Sequence, residues 1–235
     1  MTHATLLQPA FVLHTRPYRD TSLLLEIFTP DYGRVSTLAR GARGLRSRFK
    51  GLLQPFVPLL LSWYGKTELM TLSAAESQGK VLDLTGEKLL CGLYLNELLM
   101  RLLHRYDAHP QLYIVYQETL YALQDQPLQQ VLRRFEKSLL LELGYALQLN
   151  REAGTDTLIA PEQFYYFDPS RGVSACLNNE LPATARNVFS GQSLLALHAD
   201  ELNEENSLRD AKRLLRIALG KLLEEKPIKS RELFI

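Results

Sequence analysis

Ser22-Leu23-Leu24-Leu25-Glu26-Ile27-Phe28-Thr29-Pro30-Asp31-Tyr32-Gly33-Arg34-Val35-Ser36-Thr37-Leu38-Ala39 reads as strand, turn, strand. Residues 22–28 are apolar except for Glu26. Residues 34–39 alternate, with Val35, Thr37 and Ala39 on one face, the period of a half-buried strand. Pro30-Asp31-Tyr32-Gly33 supplies the turn. Working outward, residues 10–14 form a short apolar run. Val57, Leu59, Leu61 and Trp63 share a face, with Ser62 and Tyr64 opposite. Residues 69–74 follow after Gly65-Lys66, and Pro17, Gly41, Gly44 and Gly51 punctuate the rest. Five short strands in residues 1–80 predict a small barrel of the five-stranded OB type, a fold whose exposed face and loops bind oligonucleotides.

The period then changes. Residues 87–106 place Leu90, Leu93, Tyr94, Leu98 and Leu102 at helical spacing. Residues 110–124 predict a second helix with Pro110 at its start. Residues 127–149 predict a third, striped by Val131, Phe135, Leu139 and Leu143, with Gly144 weakening its last turns. Residues 194–198 form a shorter candidate. Residues 207–223 form a strong one: Ser207-x-x-Asp210 resembles a capping box, and Ala211, Leu215, Ala218 and Leu222 form the stripe. Residues 150–187 fit neither pattern and are rich in Gly, Pro, Asn and Thr. Within them, 164–167 and 173–176 predict a hairpin joined through Asp168-Pro169-Ser170-Arg171-Gly172. The expected fold is therefore α+β. An OB-type barrel domain (1–80) precedes a mostly helical domain (81–235) with a small irregular insert at about 150–187.

Composition sets bounds. The chain of 235 residues is 46% hydrophobic and 23% charged, ordinary for a folded protein. Its net charge of +1 hides an asymmetry: residues 1–80 carry a net +5 and residues 81–235 a net −4. The two cysteines, Cys91 and Cys176, make no disulfide framework and point to a reducing compartment. No apolar run approaches the roughly 20 residues of a membrane span, and the N-terminus lacks the charged and apolar regions of a signal peptide. A soluble, cytoplasmic protein is expected.

Between Asp31 and Glu68 there is no acidic residue and there are seven basic ones. Arg34, Arg40, Arg43, Arg46, Arg48 and Lys50 crowd into residues 33–51, and Lys66 follows. Lys and Arg neutralise phosphates while aromatic faces stack on bases, so the stretch points to a nucleic acid. An ordinary solvated loop and a patch for an acidic protein are the alternatives, and the absence of interleaved acids favours the first reading. Of the nearby aromatics, Phe56 and Trp63 are expected in the core, and Tyr32 and Phe49 are expected as exposed platforms. A second basic stripe, Arg209, Lys212, Arg213 and Arg216, lies opposite the apolar stripe of the last long helix. Taken alone, it reads equally as a solvated helix face. Arg133 and Arg134, beside Phe135, could receive an acidic tail with an apolar end, although packing and surface charge are the commoner reading.

Enzyme chemistry finds no support. There is no phosphate loop, no His-Glu-x-x-His and no Gly-x-Ser-x-Gly elbow. The five histidines are scattered, and His104 and His109, though close in sequence, lack an obvious carboxylate or cysteine partner, so no catalytic residue, metal or cofactor is expected.

Read in order, the chain resembles the RecO family of bacterial recombination mediators. The resemblance rests on Ala10-Phe11-Val12-Leu13-His14-Thr15-Arg16-Pro17-Tyr18, Thr21-Ser22-Leu23, Phe28-Thr29 and Gly33-Arg34-Val35. It continues in Gly41-Ala42-Arg43, Gly51-Leu52-Leu53-Gln54-Pro55-Phe56 and Gly92-Leu93-Tyr94-Leu95-Asn96-Glu97-Leu98. It closes with Leu132-Arg133-Arg134-Phe135-Glu136 and Lys226-Pro227-Ile228-Lys229-Ser230-Arg231-Glu232-Leu233. The resemblance implies an N-terminal OB fold and a helical C-terminal domain. It implies binding of single- and double-stranded DNA, annealing of complementary strands, and a nucleoid-associated place in DNA repair. It also implies partnership with RecR and with the single-stranded-DNA-binding protein, so that RecA loads onto coated DNA. The acidic tail of that coating protein would dock on the helical domain, which makes Arg133 and Arg134 better candidates. One departure stands out. Many relatives hold zinc with two Cys-x-x-Cys pairs in the insert, whereas this chain reads Asn150-x-x-Ala153-Gly154 and Cys176-x-x-Asn179. One thiolate of four predicts no zinc. The insert is then expected to rely on Phe164, Tyr166 and Val173. An RNA-binding OB module and a pure protein adaptor remain the rival functions, with a hydrolase last.

Overall fold

The computed structural model describes residues 3–79, 81–176, 185–224 and 227–233. Asn179 and Lys226 lie outside them. The chain folds as two compact units, residues 1–125 with 228–235, and residues 126–227.

In the first unit, β1 (His3–Tyr18), β2 (Ser22–Thr29), β3 (Gly33–Ala39), β4 (Leu59–Gly65) and β5 (Leu69–Ser77) close into a barrel of order β1-β2-β3-β5-β4. A parallel β3–β5 pairing and β1–β4 contact complete the ring, as in a five-stranded OB fold. The interior is apolar: Val12, Ile27, Val35, Leu59, Leu61 and Trp63 are all buried there. The predicted inward faces of β3 and β4 hold, because a strand's side chains alternate and one face must leave water.

β1 is longer than its apolar run suggests because it serves two partners. Its first half pairs with β4 and its second with β2. The register shifts between Thr5 and Gln8, where Leu7 has positive φ and its N–H donates to Ser62 Oγ at 3.0 Å. Its middle is buried on both faces: Ala10 and Val12 face the barrel, while Phe11 packs outside it.

Gly33 closes the β2–β3 turn. Its φ is +58°, and a Cβ there would lie 1.8 Å from the Asp107 carbonyl oxygen, so only glycine fits.

Helices α1 (Gly86–Leu102) and α2 (Pro110–Ala122) belong to the same unit. α1 ends before the expected residue 106, because the chain after it leaves to pair with β3: the Tyr106 N–H donates to the Arg34 carbonyl at 3.0 Å. The outer barrel face meets α2 through an aromatic cluster. Phe11 lies 5.3 Å from Tyr116 and Phe28 lies 5.6 Å from Tyr113, centroid to centroid. Inside this contact, buried Asn96 of α1 donates to the Leu13 carbonyl at 2.9 Å and accepts from the Tyr116 hydroxyl. Burial pushes the Tyr116 hydroxyl well above its ordinary pKa, so it stays a donor.

The second unit holds α3 (Leu128–Glu142), β6 (Phe164–Asp168), β7 (Gly172–Ala175), β8 (Val188–Ser190), α4 (Gly191–Ala199) and α5 (Glu205–Leu222). α3 stops well short of 149. Gly144 takes φ +82°, its N–H donates to the Leu141 carbonyl, and the Tyr145 N–H donates to that of Leu140. This is a Schellman motif, so the glycine terminates the helix rather than weakening it. α5 starts at Glu205 with Glu204 as its N-cap. Ser207 is therefore a buried first-turn residue and not a cap, and Asp210 pairs with Arg213 at 2.9 Å.

The insert contains the predicted hairpin, β6–β7, extended by β8 to a sheet of order β7-β6-β8. Tyr165, Phe167, Val173, Val188 and Phe189 of this sheet are buried. Phe164 is exposed and Tyr166 half-buried, so the expected phase is corrected by one residue. On a strand, that shift exchanges the core face for the solvent face.

Candidate nucleic-acid interface

Residues 40–58 join β3 to β4 as a run of tight turns rather than an open loop. Backbone bonds run from Gly44 to Gly41 (3.1 Å), Ser47 to Gly44 (3.0 Å), Lys50 to Ser47 (3.3 Å) and Leu52 to Phe49 (3.1 Å). The Arg43 N–H donates to the Thr21 carbonyl at 2.7 Å, which ties the segment to the β1–β2 turn. Phe49, expected as an exposed platform, is 3% exposed and belongs to the barrel core. It faces inward because these turns cap the barrel and need an apolar anchor. The Arg48 guanidinium lies 4.8 Å above its ring, a cation–π contact that leaves the charge outside.

Arg40, Arg43, Arg46, Arg48 and Lys50 are all exposed. Two further cations, Arg16 and Arg19, belong with these. Arg43 Nη1 donates to the Arg19 carbonyl at 3.3 Å, and Arg16 and Arg19 are exposed on β1 and the turn after it. The signal lay in the β1–β2 pairing, which carries the Arg16–Arg19 end of β1 toward the basic turns. Asp20 is the acid nearest to them in the chain. Tyr32 is exposed and packs edge-on against Trp63 at 5.4 Å.

Arg34 stands apart from this group. Its Nη1 donates to the Met100 carbonyl and its Nε lies 4.0 Å from Glu26. Burial lowers its pKa, and Glu26 partly restores it. Glu26 also accepts from Ser36 Oγ at 2.6 Å and Arg105 Nη2 at 2.9 Å. Arg34 therefore joins β3 to α1, with its Nη1 and Nε turned to Met100 and Glu26. The adjoining cavity of about 220 Å³ is lined by His14, Arg16, Glu26, Glu68 and Arg105, and its two carboxylates oppose a polyanion.

The second basic stripe divides in the same way. Arg209, Lys212 and Arg216 are exposed, and Arg209 pairs with Glu205 at 3.1 Å. Arg213 is instead an anchor: it donates to the Val188 carbonyl and lies 4.4 Å above the Phe189 ring. Arg133 and Arg134 also separate. Arg133 is 4% exposed and pairs with buried Glu136 at 2.9 Å, because α3 places it on the packed side of the helix. Arg134 is exposed, next to Lys137, which pairs with Asp200 at 2.6 Å and donates to the Leu197 and His198 carbonyls at the end of α4.

The insert does not suit zinc. Cys176 is its single thiol, and burial pushes that thiol's pKa up, away from the thiolate a metal needs. Its N–H is used in the sheet, donating to the Phe164 carbonyl at 3.1 Å. Among the described residues, no helix is long and apolar enough to cross a membrane.

Comparison with known proteins gives a consistent answer over both halves. The family description "Recombination protein O N terminal" matches residues 1–79, and "Recombination protein O C terminal" matches residues 84–232. A protein named DNA repair protein RecO from Coxiella burnetii is 50% identical over 233 residues, covering 99% of each chain. One of the same name from Nitrosococcus oceani is 48% identical, covering 97% of this chain and 92% of its own length. Another from Dechloromonas aromatica is 44% identical, covering 97% and 94%. The chain belongs to the Recombination protein O (RecO) family.

Proposed function

We propose that this chain is a DNA-binding mediator of repair and recombination, not an enzyme. On this reading it binds single- and double-stranded DNA and anneals complementary strands. With RecR, it helps RecA load onto strands coated by the single-stranded-DNA-binding protein. The observation that carries the reading is the set of exposed Arg40, Arg43, Arg46, Arg48 and Lys50 on an anchored run of turns beside an OB-type barrel. Membership of the family supports the place in DNA repair.

The mechanism follows from charge. Annealing is slowed by repulsion between two polyanions and by protein already coating them. Cations that neutralise phosphates release counterions and let strands approach. A second cationic zone, Arg209, Lys212 and Arg216, would hold a second segment of DNA. A site for the coating protein's acidic tail, with Arg134 as its exposed cation, would keep the mediator on coated strands. Linking weak sites raises effective concentration without any new contact.

The test is annealing of complementary strands precoated with single-stranded-DNA-binding protein, with its tail present or deleted. The proposal expects faster annealing with the chain present, and less acceleration when the tail is deleted. Binding of RNA in preference to DNA would favour an RNA module instead. No binding of naked oligonucleotide would favour a protein adaptor.

A further inference from the structure

We propose that Leu45 is a wedge that enters between two stacked bases of a bound single strand. The inference rests on the nucleic-acid reading above and adds what the basic turns do to the bases. Leu45 is 98% exposed, the highest value among the large apolar residues described. A lone exposed leucine is ordinary on a protein surface. This one differs in its mounting. Hydrogen bonds from Gly44 to Gly41 and from Ser47 to Gly44 fix the turns on either side of it. Buried Phe49 and the Arg43–Thr21 bond anchor the segment below.

The neighbours select the occupant. Arg43, Arg46 and Arg48 are exposed on both sides of Leu45 in the chain, and no acidic residue lies between Asp31 and Glu68. An apolar pocket on a protein would also have to accept the exposed Arg43, Arg46 and Arg48 on either side of it in the chain. A nucleic acid supplies phosphates for the arginines and, one bond layer inward, apolar base faces for the leucine. Apolar wedges between base steps are a known device for unstacking nucleic acid. Here the leucine offers area against a base face without reading sequence, as a general mediator requires. A strand opened in this way loses local self-structure and offers its bases to a complement.

The measurement is fluorescence of a single strand carrying 2-aminopurine between adenines, which brightens when its stacking is broken. Wild type, Leu45→Ala and Leu45→Phe are compared at saturation, each with a binding curve over a salt series. The wedge predicts brightening with wild type and Leu45→Phe and little with Leu45→Ala. Leu45→Ala should bind up to about tenfold more weakly, because the buried apolar area is lost. Its salt slope should be unchanged, because no charge has moved. Equal brightening with Leu45→Ala, or a changed salt slope, would overturn the wedge while leaving DNA binding intact. Failure of wild type to bind at low salt would instead overturn the nucleic-acid reading. At its exposure, Leu45 contributes nothing to the core, and equal thermal midpoints of the variants would confirm that their folds match.

Discussion

The Glu97 carboxylate accepts the backbone N–H of Ser230 at 2.7 Å, across 133 positions of sequence. Its other oxygen accepts the Lys229 N–H at 3.0 Å and the Arg101 guanidinium at 2.6 Å. Glu97 thus caps the 3-10 turn Lys229–Leu233 from the side of α1. Next to it, Asn96 ties α1 to β1 and α2. Leu13, Lys229 and Ser230, from two other stretches on which the family resemblance rests, therefore meet residues 92–98 at Asn96 and Glu97.

Removing this carboxylate should release the C-terminal turn. Glu97→Ala is expected to cost about 1–3 kcal/mol, since the hydrogen bonds lost are charge-assisted. Burial raises the Glu97 pKa, but the Ser230 and Lys229 N–H groups and Arg101 outweigh it, so the net shift is downward. As pH falls, the unfolded chain takes up this proton first. The stabilisation is complete above about pH 4.5 and is lost below it as folded Glu97 protonates. Urea unfolding at pH 7 and at pH 3.5 would check both points: the gap between wild type and Glu97→Ala should shrink at the lower pH.

Phe49 carries stability, whereas exposed Arg46 beside it should carry little. Phe49→Ala should destabilise by about 3–5 kcal/mol, the cost of emptying a core position. Its loss of DNA affinity should exceed what a neutral substitution of an exposed residue gives, because the turns lose their anchor. Arg46→Ala should leave stability within about 0.5 kcal/mol. Urea midpoints alongside oligonucleotide binding separate the two effects, and equal stabilities would contradict the capping role of Phe49.

Arg133 and Arg134 should behave as opposites. Arg133→Ala removes the guanidinium from a buried carboxylate and should cost about 3–5 kcal/mol. Arg134→Glu should leave the thermal midpoint almost unchanged and weaken binding of an acidic tail peptide. A stable Arg133→Ala that alone loses the peptide would reverse the assignment.

The barrel was legible because its strands alternate. Val35, Thr37 and Ala39 declare one face, and glycines and prolines mark the turns. β1 was only partly legible, since a strand covered on both faces loses its alternation at Phe11 and Val12. Helix ends were set by interactions that a local reading does not contain. One is the Tyr106–Arg34 pairing after α1, and another is the left-handed Gly144 after α3. The charged residues of the candidate site were legible as a list but not as a surface. Arg34, Arg133 and Arg213 look like their exposed neighbours in sequence, and only packing reveals that each is engaged by the protein. Phe49 shows the converse: beside arginines it reads as a platform, yet the barrel needed something to close its end.

Whether the turns between β3 and β4 bind DNA is tested by fluorescence anisotropy of a labelled single strand over a salt series. Wild type would be compared with a variant in which Arg43, Arg46, Arg48 and Lys50 are all changed to Glu. A steep salt slope is expected for wild type, with loss of both affinity and slope in a variant that still folds. A folded variant that binds with wild-type affinity and slope would contradict that expectation and move the DNA site elsewhere, with Arg209, Lys212 and Arg216 the next surface to test.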